Sequence, residues 1–342
     1  MTATSNIKSK KFTLKQGKFE VDITNFGGKL MAIRTPNKNG EITDVILGYH
    51  NPEDYHNGNP YFGAIIGRVA NRISKGSFIL SGKKIQLPIN AGEHHLHGGN
   101  KGLSMVTWKV LKHTNTSLEL YYYSKAAEDN YPANVEFWLT YKLSDANTLQ
   151  INVNAKADSK TIINITTHPF FNLNGVQPPI SDISKHELQI KAKRYTPIAA
   201  DGIPLGSIKT VKGTALDFTI KKPVQDALKS TEEQIKNANG IDHNYIIESS
   251  NKRLLKIAEL SATTSGISLS VYSNQPCVQI YTGNFLDGSD IGKNNSIYPS
   301  RSAICIEPQG YPDAPNHPLF KPIVVQAEEE YQYQTHYKFS NH

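Results

Sequence analysis

Apolar and polar residues alternate along much of this chain with the period of two that a half-buried strand requires. Phe19, Val21 and Ile23 alternate with Glu20, Asp22 and Thr24. Leu149, Ile151, Val153 and Ala155 alternate with Gln150, Asn152, Asn154 and Lys156, and Ile267, Leu269 and Val271 repeat the pattern. Asn39-Gly40 and Ser81-Gly82 lie between such runs, where a tight hairpin loop belongs, so neighbouring strands are expected to pair antiparallel. Helical signals are sparse. Pro52 to Tyr55 suits a single turn, and Thr231 to Asn239, with Glu232 and Glu233 in its first turn and Gly240 after its end, suits two or three. Many strands with one apolar face must pair two sheets to bury those faces. The expected fold is therefore all-β, one large antiparallel β-sandwich spanning 1–342, with 1–11 a flexible N-terminal segment. No fixed repeat and no low-complexity linker argues for a boundary within it.

Composition narrows the partners. No run approaches the ~20 apolar residues of a membrane helix, and the polar stretch Met1 to Lys11 has no apolar region behind it, so a soluble, cytoplasmic protein is expected. The net charge of +7 comes from lysines scattered along the chain. A nucleic-acid binder concentrates its basic residues on one face among stacking aromatics, and no such stripe is present. Two cysteines, Cys277 and Cys305, cannot build a disulfide framework, and neither lies in a C-x-x-C pair.

Four polar clusters place functional side chains beside glycine, proline or aromatic residues. In the run Gly67 to Arg72, Arg72 can fork its planar guanidinium onto hydroxyl or ring oxygens, although a strand or loop with two surface arginines accounts for the same string. The run Gly92 to Gly99 holds three histidines. Neighbouring His94 and His95 would point to opposite faces of a strand and no second ligand pair completes a set, so no metal is expected; His97, presented by a turn at Gly98-Gly99, is the candidate. His168 follows a largely β-branched run, Thr161 to Ile165. It is either a hydrogen-bonded core histidine or a proton donor, since imidazole titrates near neutrality. In the fourth run, Ser302 to Gln309, alternation puts Ile304 and Ile306 on one face and Ala303, Cys305 and Glu307 on the other. A carboxylate at the end of an apolar strand is costly to bury unless paired or used, and its small neighbours leave room for a ligand. The same alternation turns Gln279 and Tyr281 away from Val278 and Ile280, and Asp242 offers an acceptor for sugar hydroxyls. Cys277 and Cys305 each lie two residues before Gln279 and Glu307, which puts each thiol on its neighbour's face; both are expected to be reduced, poorly exposed and to line one pocket.

Taken in order, GRVANRI at Gly67 to Ile73, LHGG at Leu96 to Gly99, THPFFNL at Thr167 to Leu173, DHNY at Asp242 to Tyr245, NQPCVQIYTGN at Asn274 to Asn284 and EPQGYPD at Glu307 to Asp313 closely resemble the galactose mutarotase family. The resemblance runs from the strand near Phe19 to Tyr337-Lys338-Phe339-Ser340, essentially the whole chain. It implies a β-sandwich of the mutarotase type with the sugar in an open cleft on a sheet face. It further implies that Glu307 is the base, that His168 is the acid, and that His97 lies near the ring oxygen. Arg72, Asn71, Asp242 and Gln279 fall at sugar-binding positions. Phe170 stands where the family often has Tyr, and Cys277 where Gly is usual, which would narrow the cleft and bear on sugar preference.

The activity implied is that of an aldose 1-epimerase. Ionised Glu307 takes the C1 hydroxyl proton while protonated His168 donates to the ring oxygen; after rotation about the C1 to C2 bond the two exchange roles. No metal, nucleotide or other cofactor is implied, and no P-loop or G-x-G-x-x-G sequence occurs. The implied partner is a small aldose, without nucleic acid or membrane, and a monomer and a dimer are equally compatible with it. Three other readings compete. A hexose-phosphate epimerase needs added basic residues at the site, for which Arg68 is the one extra candidate. A non-catalytic sugar-binding module has no use for both Glu307 and His168. A glycosidase needs two carboxylates, which Asp242 and Glu307 would supply.

Overall fold

The computed structural model describes residues 8–144, 147–247 and 253–342. The alternating runs form strands at the expected places: Phe19–Thr24, Thr148–Ala157 and Ile267–Ser273. A nine-stranded antiparallel sheet carries, from edge to edge, Lys109–His113, Ser117–Ser124, Val135–Ser144, Thr148–Ala157, Glu330–Asn341, Ile267–Ser273, Leu255–Ser261, Glu187–Ile190 and Lys222–Pro223. The first of these is bulged between Val110 and Lys112, and the last is two residues long. A five-stranded sheet, Lys209–Thr210, Arg194–Thr196, Asp242–Ile246, Cys277–Tyr281 and Cys305–Gln309, shares a core with it. Leu149, Ile151 and Val153 of the large sheet, Val278, Ile280 and Ile306 of the smaller one, and Ile304 just before the strand Cys305–Gln309 are all fully buried in that core. The all-β expectation thus holds, with the apolar faces of two sheets covering each other.

Ser81 and Gly82, both at positive φ (51° and 77°), make the two-residue turn between Ser77–Leu80 and Lys83–Gln86. Asn39-Gly40 lies in the connection from Lys29–Pro36 to Ile42–Asp44. The N-terminal expectation is shortened. Residues 1–7 lie outside the described residues, but Lys11 already opens the strand Lys11–Gln16 and the Lys10 N–H donates to Asn25 Oδ1 at 2.8 Å. Pro52–His56 forms one 3₁₀ turn as expected, whereas the helix expected over Thr231 to Asn239 is shorter, Glu233–Asn237. Thr231 makes no cap; Glu232 precedes the helix and its carboxylate instead accepts the Ala215 N–H at 2.8 Å. Gly240 closes the helix by donating to the Ile235 carbonyl. A second short helix, Gln225–Leu228, has no counterpart in the sequence pattern. Among the described residues no helix is long and apolar enough to cross a membrane.

Candidate active site

Three neighbouring strands of the five-stranded sheet set three residues abreast. Asn244 of Asp242–Ile246 pairs with Gln279 of Cys277–Tyr281, which pairs with Glu307 of Cys305–Gln309. Asp242, two residues from Asn244, shares this face, and its carboxylate accepts the Gln279 Nε2–H at 2.6 Å. A period of two thus puts the polar side chains on the face opposite the core-forming Val278, Ile280 and Ile306. The strand Thr166–His168 crosses beside them. Thr167 Oγ1 lies 2.6 Å from the Tyr337 hydroxyl of the large sheet, fastening this strand and leaving His168 facing Glu307.

The remaining wall comes from a second short pairing, Arg72–Ile73 with His95–Leu96. Asn71 and His97 flank it, both at positive φ (63° and 52°), and they hold each other. The His97 N–H donates to the Asn71 carbonyl at 3.0 Å, and the Asn71 N–H donates to His97 Nδ1 at 3.2 Å. With Nδ1 accepting, the proton of neutral His97 sits on Nε2. Asp313, at the far end of the Glu307 motif, ties this wall down: its N–H donates to the Arg72 carbonyl and its carboxylate accepts the Ser74 N–H at 3.0 Å.

A cleft of about 240 Å³ results, and all seven residues singled out from the sequence line it: Asn71, Arg72, His97, His168, Asp242, Gln279 and Glu307. His168 Nε2 lies 3.5 Å from Glu307 Oε1 on its floor, and Arg72 Nη1 lies 3.8 Å from Asp242 Oδ2. Glu307 Oε2, His168 Nδ1 and Gln279 Oε1 are buried without a hydrogen-bond partner among the described residues. Such groups are expensive unless a ligand meets them. Burial dominates the electrostatics. It pushes the Glu307 carboxyl well above its ordinary range, helped by the nearby Asp242 and opposed by Arg72. Burial also lowers His168 to about 4, and holds His97 well below its ordinary value with help from His168 and Arg72. Asp242 is raised by burial against the pull of Arg72 and the Gln279 bond. A carboxyl and an imidazole in contact, each resisting its charged form, hold one proton between them.

Aromatic residues complete the walls. Phe170 stacks on His168 with centroids 4.9 Å apart, Tyr61 meets His97 edge-on at 4.7 Å, and Phe285, 63% exposed at the rim, stacks on Tyr281. Sequence reading did not single out Tyr61, Phe285, Asn59, Leu96 or Leu286. Tyr61 sits in an apolar-aromatic run that reads as core, and Phe285 follows the Asn284 motif where nothing but an exposed aromatic marks it. Just outside the cleft, a Cβ on Gly202 (φ 80°) would stand 3.0 Å from Arg72 Cζ, so the loop carrying Asp201 and Gly202 covers the guanidinium. His94 Nε2 lies 3.3 Å from the Asp201 carboxylate.

Four expectations are refined by this geometry. The three neighbouring histidines part company: His94 turns to Asp201, His95 Nε2 meets the Tyr131 hydroxyl at 2.7 Å, and only His97 enters the cleft. Arg68 is buried away from the cleft, donating to Ser124 Oγ and to the carbonyls of Lys125, Pro132 and Ala133, so it contributes no anion contact there. The two thiols are free and buried as expected, but they do not line one pocket. Cys277 pairs in register with Gln309 and Cys305 with Tyr281, at opposite ends of the two strands, and the thiols pack into different clusters. For the same reason Cys277 does not narrow the cleft: it packs with Val69, Ile73 and Ile162.

Comparison with known proteins places the chain in a family. The profile of the family described as Aldose 1-epimerase matches residues 10–338. The galactose mutarotases of Mus musculus and Homo sapiens are each 40% identical over 330 residues, covering 96% of this chain and 94% of theirs. The aldose 1-epimerase of Escherichia coli K12 is 30% identical over 321 residues, 93% of this chain and 91% of its own. Among solved structures, the galactose 1-epimerase of Lactobacillus acidophilus NCFM superposes with a TM-score of 0.86 at 28% identity, covering 100% of this chain and 97% of that one. The aldose epimerase homologue of C. elegans reaches 0.89 at 27%, covering 98% and 99%. Matched by the family profile over nearly its whole length and by relatives at 40% identity, this chain belongs to the aldose 1-epimerase family.

Proposed function

We propose that the protein interconverts the α and β anomers of free hexoses such as galactose and glucose by opening and closing the sugar ring. The observation that carries this reading is Glu307 Oε1 facing His168 Nε2 across 3.5 Å on the cleft floor. The C1 hydroxyl and the ring oxygen of a hemiacetal are bonded to the same carbon, so a base and an acid this close can serve both. Glu307 takes the proton of the C1 hydroxyl and His168 delivers one to the ring oxygen; the C1 to ring-oxygen bond breaks and the C1 carbonyl forms. Rotation about C1 to C2 presents the other face, and the reverse transfer closes the ring.

The shared proton makes the reactive form accessible. Moving it from Glu307 to His168 leaves the pair's net charge at zero, and the hydroxyl that donates to the carboxylate together with the ring oxygen that accepts from the imidazole stabilise the ionised arrangement. His97, with its proton on Nε2, donates a hydrogen bond to the ring oxygen as negative charge develops and does not itself carry the proton. Arg72, Asn71, Asp242 and Gln279 hold the other hydroxyls. Among the described residues Arg72 is the one arginine or lysine lining the cleft, which suits an uncharged sugar better than a sugar phosphate. The free thiols support a reducing compartment, the cytoplasm.

Polarimetry tests the reading. Freshly dissolved α-D-galactose and α-D-glucose should relax to their unchanged equilibrium rotations faster with the protein than without it. Relaxation at the spontaneous rate for both sugars would remove the assignment.

A further inference from the structure

We propose that His168, Cys305 and Glu307 form a Zn²⁺ site on the floor of the cleft. That bound metal excludes productive sugar is a consequence which rests on the catalytic reading of Glu307 and His168. Among the described residues these three make up a buried group whose ligand atoms, one from each, all lie within 4.8 Å of one another. Strand geometry brings them together. Cys305 and Glu307 are two apart on Cys305–Gln309 and share a face, and His168 ends the neighbouring Thr166–His168, next to the bridge between Phe171 and Ile304.

The chemistry suits a borderline-soft cation. Tetrahedral zinc bonds sulfur at about 2.3 Å and nitrogen or oxygen at about 2.0–2.2 Å, which sets its ligands roughly 3.3–3.7 Å apart. Side-chain rotations that close the group by about 1 Å reach that geometry. Thiolate, carboxylate and neutral imidazole bring a charge of −2 against +2, so the loaded site is neutral, and the donor set favours zinc over magnesium or calcium. Zinc also gives the unpartnered Glu307 carboxylate oxygen a partner. The fourth position opens on the cleft, where water completes the shell. Binding displaces the Cys305 thiol proton, so loading releases protons to solvent. Cys305 does not line the sugar cleft; it packs beneath it beside Phe170 and Tyr281.

Calorimetric titration of chelator-treated protein with Zn²⁺, in two buffers of different ionisation enthalpy, measures stoichiometry and proton release; Co²⁺ serves as an optical probe. The expected result is one ion per chain, proton release on binding, a thiolate-to-cobalt charge-transfer band, and at least tenfold weaker binding under saturating galactose. Cys305→Ala and Cys305→Ser should each lose the ion and the band, while Cys277→Ala keeps both. The band in the unaltered protein reports thiolate ligation even if a Cys305 variant folds poorly. Turnover should fall in proportion to occupancy and return with EDTA. Absence of a stoichiometric ion, or an ion retained in both folded Cys305 variants, overturns the site. An ion held through Cys305 that leaves turnover intact upholds the site and overturns the catalytic roles of Glu307 and His168.

Discussion

A Cβ on Gly98 would overlap the carbonyl oxygen of Gly67, so the turn that presents His97 is seated directly on the backbone that leads to Asn71 and Arg72. Gly98 also has φ 88°, where an L side chain is strained whatever the space. The two segments that form one wall of the cleft are thus spaced by the absence of a side chain.

Gly98→Ala should therefore cost about 2–3 kcal/mol of stability, from the strained φ and the overlap together, and should move His97 off its bond to Asn71. Urea denaturation measures the first effect, and a rise in KM with a fall in kcat the second. A variant as stable and as active as the parent would show that the wall is not spaced in this way.

Glu307→Gln should separate activity from stability. Removing the base lowers kcat by about 10²- to 10⁴-fold. Because burial raises the Glu307 carboxyl above its ordinary 4.5, the fold is penalised once pH rises above 4.5, where the unfolded chain ionises freely. The variant should melt on the order of 2 °C higher at pH 7 and show no such gain at pH 4. A lower melting point at neutral pH would contradict a carboxyl raised by burial.

The pH profile should be broad. The pair is competent while it holds one proton. An exposed glutamate and histidine would hold one only between about 4.5 and 6.5. Here His168, lowered to about 4, takes up the second proton only in more acid solution, and the raised Glu307 keeps the last one to higher pH. Activity measured as kcat/KM should fall off near pH 4 and persist beyond pH 6.5; a profile confined to 4.5–6.5 would contradict it. At the pair itself the two shifts offset each other between 4.5 and 6.5, but the fold should still lose stability as pH drops from 6.5 toward 4, since the unfolded chain protonates imidazoles that burial keeps neutral at His186, lowered to about 4, and His243, lowered to about 3.

Gly202→Ala should act on sugar affinity. The added methyl would stand 3.0 Å from Arg72 Cζ, closer than ordinary packing, so the flexible guanidinium must move. KM should rise several-fold with a smaller change in kcat, alongside about 1 kcal/mol of lost stability from the positive φ. An unaltered KM would show that Arg72 does not feel this loop.

What is legible in the sequence follows from the physics of strands. A strand states its faces with a period of two, so the order of residues alone identifies the side that carries Gln279, Tyr281, Cys305 and Glu307. The register that sets Asn244, Gln279 and Glu307 abreast is not legible in this way, because it depends on which strands become neighbours. The same gap explains the thiols: alternation places Cys277 and Cys305 on one face, yet antiparallel pairing sends them to opposite ends of it. Helix limits failed where a side chain found a tertiary partner, as Glu232 did at Ala215. Tyr61 and Phe285 were missed because local pattern cannot tell an aromatic wall from an aromatic core.

The rims of the nine-stranded sheet bear on self-association. A sheet this wide has two edges of unpaired backbone groups, each a template on which another copy could extend the ladder. One edge strand, Lys109–His113, is bulged and carries exposed Lys109 and Lys112. The other, Lys222–Pro223, is two residues long, and Pro223 has no N–H to offer. Charge, irregularity and brevity thus deny an incoming strand its register, so copies that associate are directed to other surfaces and the molecule is guarded against stacking into fibrous aggregates.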